Sequence, residues 1–393
     1  MHVLILASWY PSTEAPHAGI FVRQQVESLQ KRGVNVSVLS VVYGNILHSH
    51  KSEKKPLPHQ IKTSAIPLLQ SSVTNYFPFI PLSSGFVWIK EGIRLFREYL
   101  REFGEPDVLH AHSSLYGGVL GAIIRLRYKT PLIITEHSTA LISGELPIWQ
   151  KLLAKYAFRN ADHLIAVSQG QAIKLAVKYG PTIESWDVIY NAVADIYADK
   201  ELILRNKDNF RFLSIGYLIK RKGFDVLLEA FAILQSQKKY HKSVLRIIGD
   251  GDQKEALHKL AQKLDIGSSI EWIPSRLPEK IIKDYDHSDV VISSSRLETF
   301  GITLIEGLAR GIPVIATRSG GPEEFVIPQV GKLVEKDDPL DLARSMAEII
   351  DCYQDFLPQD LRNYCLSNFG PKVIIGRLCQ IYQIYSTIRE ESE

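Results

Sequence analysis

The sequence SRLETFGITLIEG, residues 295–307, together with the apolar runs that flank it, decides the fold of this chain. The run VVIS at 290–293 predicts a strand, and a loop carrying Glu298 follows it. Gly301 marks the expected start of a helix, and GIPVIA at 311–316 contains the next predicted strand. Strand, loop, helix and strand in this order are typical of a parallel α/β sheet.

Two glutamates set this segment apart from an ordinary helix start. Glu306 lies inside the predicted helix between Ile305 and Leu308, so its carboxylate is expected to be buried. A buried carboxylate is costly unless it is hydrogen-bonded, and the hydroxyl groups of a sugar or a ribose supply such bonds. The helix N-terminus offers backbone N–H groups to a phosphate. The alternative is a solvated helix face, and the apolar neighbours of Glu306 favour a nucleotide-sugar site instead.

The pair Glu298 and Glu306 resembles the Glu-x7-Glu element of retaining glycosyltransferases with the GT-B fold, in particular those of family 4. This resemblance implies that Glu298 contacts hydroxyls of the donor sugar and that Glu306 holds the ribose of the nucleotide. Phe300, Gly301 and Ile302, at the helix start, are assigned to donor binding. The fold expected from the resemblance is α/β, with two Rossmann-like doubly wound domains and a cleft between them.

Length and composition fit a two-domain globular protein. The chain has 393 residues, more than one core normally fills, with 45% hydrophobic and 23% charged residues. Its three cysteines, Cys352, Cys365 and Cys379, lack CxxC spacing and are expected to be reduced thiols of a cytoplasmic protein. No secretory leader or membrane-spanning run is expected. The net charge of +3 is too small to indicate nucleic-acid binding.

Short apolar runs alternate with amphipathic stretches along both halves of the chain, which predicts two parallel sheets covered by helices. In the N-terminal half the predicted strands are 2–7, 34–41, 108–110, 132–135, 163–167 and 187–189, and the helices are 21–31, 117–127 and 169–178. In the C-terminal half the predicted strands are 210–215, 244–248, 269–273, 290–293 and 313–316, with a helix at 224–234. A second doubly wound domain therefore follows the first.

Segments without this alternation of strands and helices mark the predicted domain boundaries. Residues 52–84 contain several prolines and predict a loop-rich insertion, and the polar segment 195–209 predicts a linker. We therefore expect an acceptor-binding domain at 1–194 and a nucleotide-sugar-binding domain at 195–370. The segment 371–393 predicts a final helix, which in GT-B enzymes crosses back to the first domain.

The segment GYLIKRKG, residues 216–223, places three cations just before a predicted helix. Positive charge beside a helix N-terminus suits a diphosphate leaving group, and a solvated basic turn is the alternative. The segment resembles the family's Gly-Arg-Leu…Lys-Gly element, which implies that Lys222 clamps the diphosphate and that Gly216 borders the donor. Tyr217 stands where the family has arginine, so a second cation would come from Lys220 or Arg221.

Three further residues of the first domain are candidates for the site. Gly19 follows the first strand and resembles the glycine of the family's first loop, which borders donor phosphate and acceptor. His137, after the strand at 132–135, matches the family histidine that faces the donor sugar. His110 and His112 share a strand face; we expect His110 to be structural and His112 to line the acceptor side. No further ligands at zinc spacing are evident.

Two weaker motifs also match the family. The segment YNAV at 190–193 resembles its Asn-Gly-Val-Asp element, in which Asn191 orders the hinge. The turn SGGPEE at 319–324 resembles its Gly-Gly-x-x-Glu turn, which implies contact with the nucleotide; acidic charge in a helix's first turn is the alternative.

A cationic stripe on the helix predicted at 85–103 suggests a further partner. Lys90, Arg94, Arg97 and Arg101 recur at helical spacing, although glutamates interrupt them. This face is expected to meet anionic lipid at the inner side of the membrane, or a lipid-diphosphate acceptor, unless it is simply a solvated surface.

These features together predict a retaining, metal-independent, hexosyltransferase-type enzyme that moves a sugar from a UDP- or GDP-sugar to a hydroxyl of a glycan or lipid-linked acceptor. Cell-surface polysaccharide or glycolipid assembly is the setting that the resemblance implies. His137, Lys222 and Glu298 are the expected catalytic residues, and no cofactor or metal is expected. A GT-B enzyme that does not transfer sugar, such as a nucleotide-sugar epimerase, and a sugar-binding protein are the alternatives.

Overall fold

The computed structural model describes residues 1–13, 15–43, 60–63, 66–73, 83–180, 182–202 and 209–391. The chain divides into two compact units. The first unit consists of residues 1–190 together with 374–393, and the second of residues 191–373.

The first unit is a sheet with helices on its faces. Its strands are β1 (His2–Ala7), β2 (Asn35–Tyr43), β3 (Gln60–Thr63), β4 (Pro67–Val73), β5 (Val108–His112), β6 (Leu132–Glu136), β7 (His163–Ala166) and β8 (Trp186–Val188). Its helices are α1 (Ile20–Lys31), α2 (Ser83–Phe103), α3 (Val119–Tyr128), α4 (Thr139–Ser143), α5 (Ile148–Arg159) and α6 (Gln169–Tyr179). The strand order is β3-β4-β2-β1-β5-β6-β7-β8, and every described pair is parallel except β3 with β4.

The second unit repeats this architecture around a smaller sheet. After the short helix α7 (Asp195–Ala198) come β9 (Arg211–Ile215), α8 (Phe224–Gln235), β10 (Val244–Ile248), α9 (Lys254–Lys263), β11 (Ile270–Ile273), α10 (Pro278–Asp286), β12 (Val290–Ser293), α11 (Ile302–Ala309), β13 (Val314–Thr317), β14 (Gly331–Val334), α12 (Pro339–Asp351) and α13 (Pro358–Phe369). The order β11-β10-β9-β12-β13-β14 is parallel throughout its described pairs. Both sheets are thus of the Rossmann-like type that the alternating pattern predicts.

The last helix, α14 (Pro371–Glu390), supplies side chains to the first unit. The Tyr382 hydroxyl lies 2.6 Å from His110 Nδ1, and the Tyr385 hydroxyl donates to the Asp162 carbonyl at 2.8 Å. Ile375 and Leu378 are buried on the same helix. No helix in the described part of the chain is both long and apolar enough to cross a membrane.

The prediction that residues 52–84 form a loop-rich insertion is wrong for part of this segment. Within it, β4 pairs in parallel with β2, and β3 pairs with β4 in antiparallel. Pro67 opens β4, where a missing N–H is tolerated, and the buried Leu69 and Ser71 alternate with less buried neighbours as a strand requires. The rest of the predicted insertion up to residue 82, apart from residue 66, lies outside the described residues.

Two further elements depart from the sequence prediction. The predicted linker at 195–209 begins with α7, and its residues 203–208 lie outside the described part. The strand β14, absent from the prediction, pairs with β13 through Gly331, where a Cβ atom would lie 1.9 Å from the Val314 carbonyl oxygen. Such a close approach of two backbones excludes any side chain.

Candidate active site

Two loops of the second unit meet because their strands are neighbours. The strand β9 lies between β10 and β12, so the chain order reverses between β9 and β12. In a doubly wound sheet this reversal separates the loops at the carboxyl ends of the two strands and creates a crevice for ligands. The loop after β9 carries Lys222, and the loop after β12 carries Glu298.

Lys222 and Glu298 form an ion pair in this crevice. Lys222 Nζ donates to Glu298 Oε2 at 2.6 Å, and the Thr299 N–H donates to Oε1 at 3.2 Å. Burial opposes ionisation of Glu298, but the charge and hydrogen bond of Lys222, the charge of Arg221 and the Phe300 N–H together lower its pKa. The pair therefore holds an ionised carboxylate beside an ammonium group.

Backbone contacts fix the loop that carries Lys222. Gly223 has φ 64°, and a Cβ atom there would lie 2.1 Å from the Ser294 carbonyl oxygen, so only glycine fits. The Ser294 hydroxyl donates to the Lys222 carbonyl at 3.1 Å. Arg221 Nη1 donates to the Leu297 carbonyl at 2.9 Å. Since Arg221 also contributes to the pKa of Glu298, it lies close to the ion pair.

Gly216 lies beneath the aliphatic part of Lys222. A Cβ atom on Gly216 would lie 3.7 Å from Lys222 Cε, an ordinary van der Waals distance. Gly216 therefore lies next to the side chain of Lys222, but the packing at this position does not require glycine.

The glycine-rich turn at 319–324 packs against the Glu298 loop. The Glu298 N–H donates to the Ser319 carbonyl at 3.0 Å, and the Gly321 N–H donates to the Glu298 carbonyl at 3.0 Å. A Cβ atom on Gly321 would lie 2.3 Å from Phe300 Cα, so only glycine fits at this position of the turn. The sequence-predicted turn and glutamate are thus neighbours in the second unit.

The predicted donor-binding residues at the start of α11 can offer a ligand backbone groups. The Phe300 ring is buried against Phe325 and Phe369, so this residue can offer a ligand only its backbone. Its N–H already interacts with the Glu298 carboxylate. Gly301, with φ 110°, precedes the helix, and Ile302 begins it, so the amides at this end have no intrahelical acceptor.

Glu306 is buried as predicted, but its hydrogen bonds come from the protein itself. The Tyr285 hydroxyl donates to Oε2 at 2.6 Å, and Tyr197 also hydrogen-bonds the carboxyl group. Burial outweighs both bonds and raises the pKa of Glu306 to about 7. The sequence reasoning missed both tyrosines, because they lie on α10 and α7 and no spacing links them to the glutamate.

A stack of three histidines lies at the carboxyl ends of β5 and β6 in the first unit. The His110 and His112 rings are 4.5 Å apart, and His112 Nδ1 lies 3.0 Å from His137 Nε2. His110 is fully buried, with its nitrogens 2.6 Å from the Tyr382 hydroxyl and 2.7 Å from Thr135 Oγ1, in keeping with the structural role predicted for it. Burial lowers the pKa of all three rings, that of His112 to about 3, so they are neutral.

The contacts of this stack favour one position for the proton on His137. The Gln25 amide nitrogen, which can only donate, lies 3.4 Å from His112 Nε2. This contact favours the tautomer of His112 with its proton on Nδ1, which donates to His137 Nε2 and places the His137 proton on Nδ1. His112 has no exposed surface, so the geometry supports a role in orienting His137 and not the predicted direct contact with an acceptor. Phe21 packs on the His137 ring at 4.6 Å.

Glu136 fixes the backbone around His137. Its carboxylate accepts from the Ser114 N–H and hydroxyl on one oxygen, and from the His137 and Ser138 N–H groups on the other, at 2.7 to 2.9 Å. Burial raises the pKa of Glu136, while the four donors oppose that rise. Sequence reasoning assigns this residue no role, because a single glutamate at the end of a strand forms no pattern with its neighbours.

Gly19 is required for a reason other than the predicted one. It has φ 63°, and a Cβ atom there would lie 2.1 Å from the Trp9 carbonyl oxygen. The close approach that demands glycine is thus to the chain's own backbone. Contact of Gly19 with donor or acceptor stays a prediction.

Solved structures of similar fold define the class of protein. The chain resembles the sucrose-phosphate synthase of Thermosynechococcus elongatus with a TM-score of 0.74 at 20% identity, over 98% of this chain and 99% of that one. It resembles Anabaena HepE, solved in complex with UDP, with a TM-score of 0.71 at 19% identity, over 98% and 100% of the two chains. The fold is therefore GT-B.

Sequence comparisons define the family. Residues 18–195 match the model of Glycosyltransferase Family 4, and residues 196–366 match that of Glycosyl transferases group 1. An uncharacterized glycosyltransferase of Methanocaldococcus jannaschii is 26% identical over 89% of this chain and 90% of its own length. A D-inositol 3-phosphate glycosyltransferase of Acidothermus cellulolyticus is 25% identical over 86% and 79%. The chain belongs to the family 4, group 1 glycosyltransferases, which transfer a sugar from a nucleotide sugar.

Proposed function

We propose that this enzyme transfers a hexose from a nucleoside diphosphate sugar to a hydroxyl acceptor, with retention of configuration and without an essential metal ion. The Lys222–Glu298 pair at the crevice of the second sheet carries the proposal. It joins a cation suited to a diphosphate with a carboxylate suited to sugar hydroxyls, at the point where a doubly wound sheet binds ligands. UDP is the first nucleotide to test, because the structurally similar HepE was solved with UDP and with UDP-glucose.

In this proposal the charge of the departing diphosphate is neutralised by protein groups. Lys222, supported by Arg221, and the amides at the start of α11 face the developing negative charge. The bond between the anomeric carbon and the diphosphate oxygen breaks, while the acceptor oxygen attacks the same face of the sugar. The acceptor proton passes to the departing diphosphate oxygen, so that no protein nucleophile is needed.

Each remaining site residue has a distinct task. Glu298 accepts hydrogen bonds from the donor sugar's hydroxyls, and Glu306 accepts from the ribose in place of one of its tyrosine partners. His137 donates from Nδ1 to the sugar, since His112 occupies its Nε2. The acceptor binds through the first unit, and polysaccharide or glycolipid assembly at the cell surface is the proposed setting.

The decisive experiment starts with a screen of UDP- and GDP-sugars for a rise in melting temperature. A ligand at 100 times its Kd stabilises the native state by about 2.7 kcal/mol. Incubation of the stabilising donor with glycan and lipid-linked acceptors should then give a glycoside whose anomeric NMR coupling matches that of the donor. An inverted product would overturn the proposed stereochemistry. A new sugar isomer formed from the donor alone, with no acceptor present, would overturn transfer itself.

A further inference from the structure

Of the four cations in the stripe predicted on α2, Arg94 forms ion pairs with two carboxylates of the same helix. Arg94 Nε lies 3.0 Å from both Glu91 carboxylate oxygens, and Arg94 also pairs with Glu98. This helix therefore presents mixed charge, and such exposed pairs on a helix are an ordinary solvated surface. Contact of α2 with anionic lipid or with a lipid-diphosphate acceptor stays a prediction.

A different face of the first unit exposes large apolar side chains in two rows. On α5, Ile148, Leu152 and Tyr156 recur four residues apart and are 71%, 60% and 37% exposed. On α6, Ile173 and Val177 recur at the same spacing and are 49% and 82% exposed. Residues four apart lie on one side of a helix, so each row is continuous. We call the exposed sides of α5 and α6 together the α5–α6 face.

All ionisable charges on these two helices, apart from tyrosine, are positive. Lys151, Lys155 and Arg159 lie on α5, and Lys174 and Lys178 lie on α6, whereas neither helix contains an aspartate or a glutamate. The exposed Glu145 precedes α5 in the loop after α4. The α5–α6 face therefore combines exposed apolar area with an unbalanced positive charge.

The lysines of the two helices lie close together. Desolvation, followed by repulsion from Lys151 and Lys174, lowers the pKa of Lys178, which also donates to the Ile142 carbonyl. The Lys155 ammonium lies 3.9 Å from the position that a Cβ atom on Gly180 would take, at the end of α6. Lys155 of α5 therefore lies beside the C-terminal end of α6.

We propose that the α5–α6 face docks on a bilayer surface that contains anionic lipid. Apolar side chains that enter the acyl boundary, flanked by lysines that reach the headgroups, are the arrangement of interfacial amphipathic helices. The cores of protein–protein interfaces are depleted of lysine, and a partner protein would have to supply carboxylates for all of these cations. Charge complementarity therefore favours anionic headgroups over a second copy of this chain.

Cosedimentation of the full chain with vesicles tests this proposal. The wild type should bind vesicles of equal parts phosphatidylcholine and phosphatidylglycerol, bind phosphatidylcholine alone much more weakly, and lose binding as salt is raised, because salt screens exposed charges. Both Leu152→Ser/Val177→Ser and Lys151→Glu/Lys155→Glu should lower the partition coefficient at least about tenfold. Leu340→Ser, at a 63% exposed position on α12, and Lys242→Glu, both in the second unit, are the controls.

Each other outcome would overturn the proposal. Failure of the wild type to sediment, equal binding to both vesicle types, or undiminished binding of both double variants would do so. A lipid-free dimer that Leu152→Ser/Val177→Ser dissociates would identify a second copy as the occupant. The melting-temperature shift caused by the nucleotide sugar should be the same in the double variants as in the wild type, so failure here is distinct from failure of the proposed function.

Discussion

Replacing Glu306 by glutamine should change how the stability of the second unit depends on pH. In the folded chain the pKa of Glu306 is about 7, raised from 4.5, because burial outweighs the hydrogen bonds from Tyr285 and Tyr197. A carboxyl group whose pKa is raised by folding holds its proton more tightly in the native state. Its contribution to stability is complete below pH 4.5 and is lost as the pH rises through 7.

The size of this effect follows from the shift. One pKa unit corresponds to about 1.36 kcal/mol, so ionisation of buried Glu306 costs the native state about 3 kcal/mol once the pH is well above 7. Glutamine does not titrate and bears no such cost. Between the acid and alkaline ends of this window, the difference in unfolding free energy between Glu306→Gln and wild type should move by about 3 kcal/mol in favour of glutamine.

Melting temperatures measured across that pH window provide the assay. For a unit of this size about 3 kcal/mol corresponds to a relative shift of about 6 to 12 °C. Glu255→Gln, at an exposed position on α9, is the matched control and should track the wild type at every pH. Parallel curves for Glu306→Gln and wild type would refute the reasoning, since they would mean that Glu306 ionises as easily in the folded as in the unfolded chain.

Four further predictions follow from the site. Lys222→Met should lower the transfer rate by about 100- to 1000-fold, because it removes a cation from the leaving group; near-normal turnover would exclude Lys222 from the site. Gly223→Ala should destabilise the chain by about 3 kcal/mol or more in urea unfolding, because a Cβ atom collides with backbone, whereas Gly267→Ala, with nothing within 4 Å, should be neutral. Gln25→Met should lower kcat several-fold with little change in donor KM, because the proton on the histidine stack can then move; Gln24→Met is its control. Activity should persist in EDTA, and loss on chelation that manganese restores would contradict metal independence.

The sequence predicts most of this architecture because its strands are continuous apolar runs. VLRII at 244–248 and VVIS at 290–293 form strands with the predicted bounds. Burial on both faces leaves little alternative for such runs. The strand GKLV at 331–334 cannot be predicted in this way, because it is short, begins with glycine and contains a lysine. Its place at the sheet edge depends on backbone pairing with β13, which no local pattern encodes.

Some contacts of the candidate site could likewise be predicted from the sequence, and others could not. The proximity of Lys222 and Glu298 could be predicted, because motif resemblance and the neighbouring strands β9 and β12 place both loops together. The tyrosines that bind Glu306 could not, since their contact depends on how α7 and α10 pack onto α11. The burial of His112 likewise depends on side chains from other elements, including α1.

The first unit consists of two separate segments of the chain, which the ribosome makes at different times. Its larger part ends at residue 190, but the helix that places Tyr382 against His110 is translated only after the whole second unit. At about 5 to 20 residues per second, the ribosome needs roughly 10 to 40 s to make the intervening segment. During that interval the nascent chain lacks the cover that Ile375 and Leu378 later provide. The first unit therefore cannot be completed until α14 has been made, and a chain truncated before α14 lacks the Tyr382 hydroxyl that binds His110.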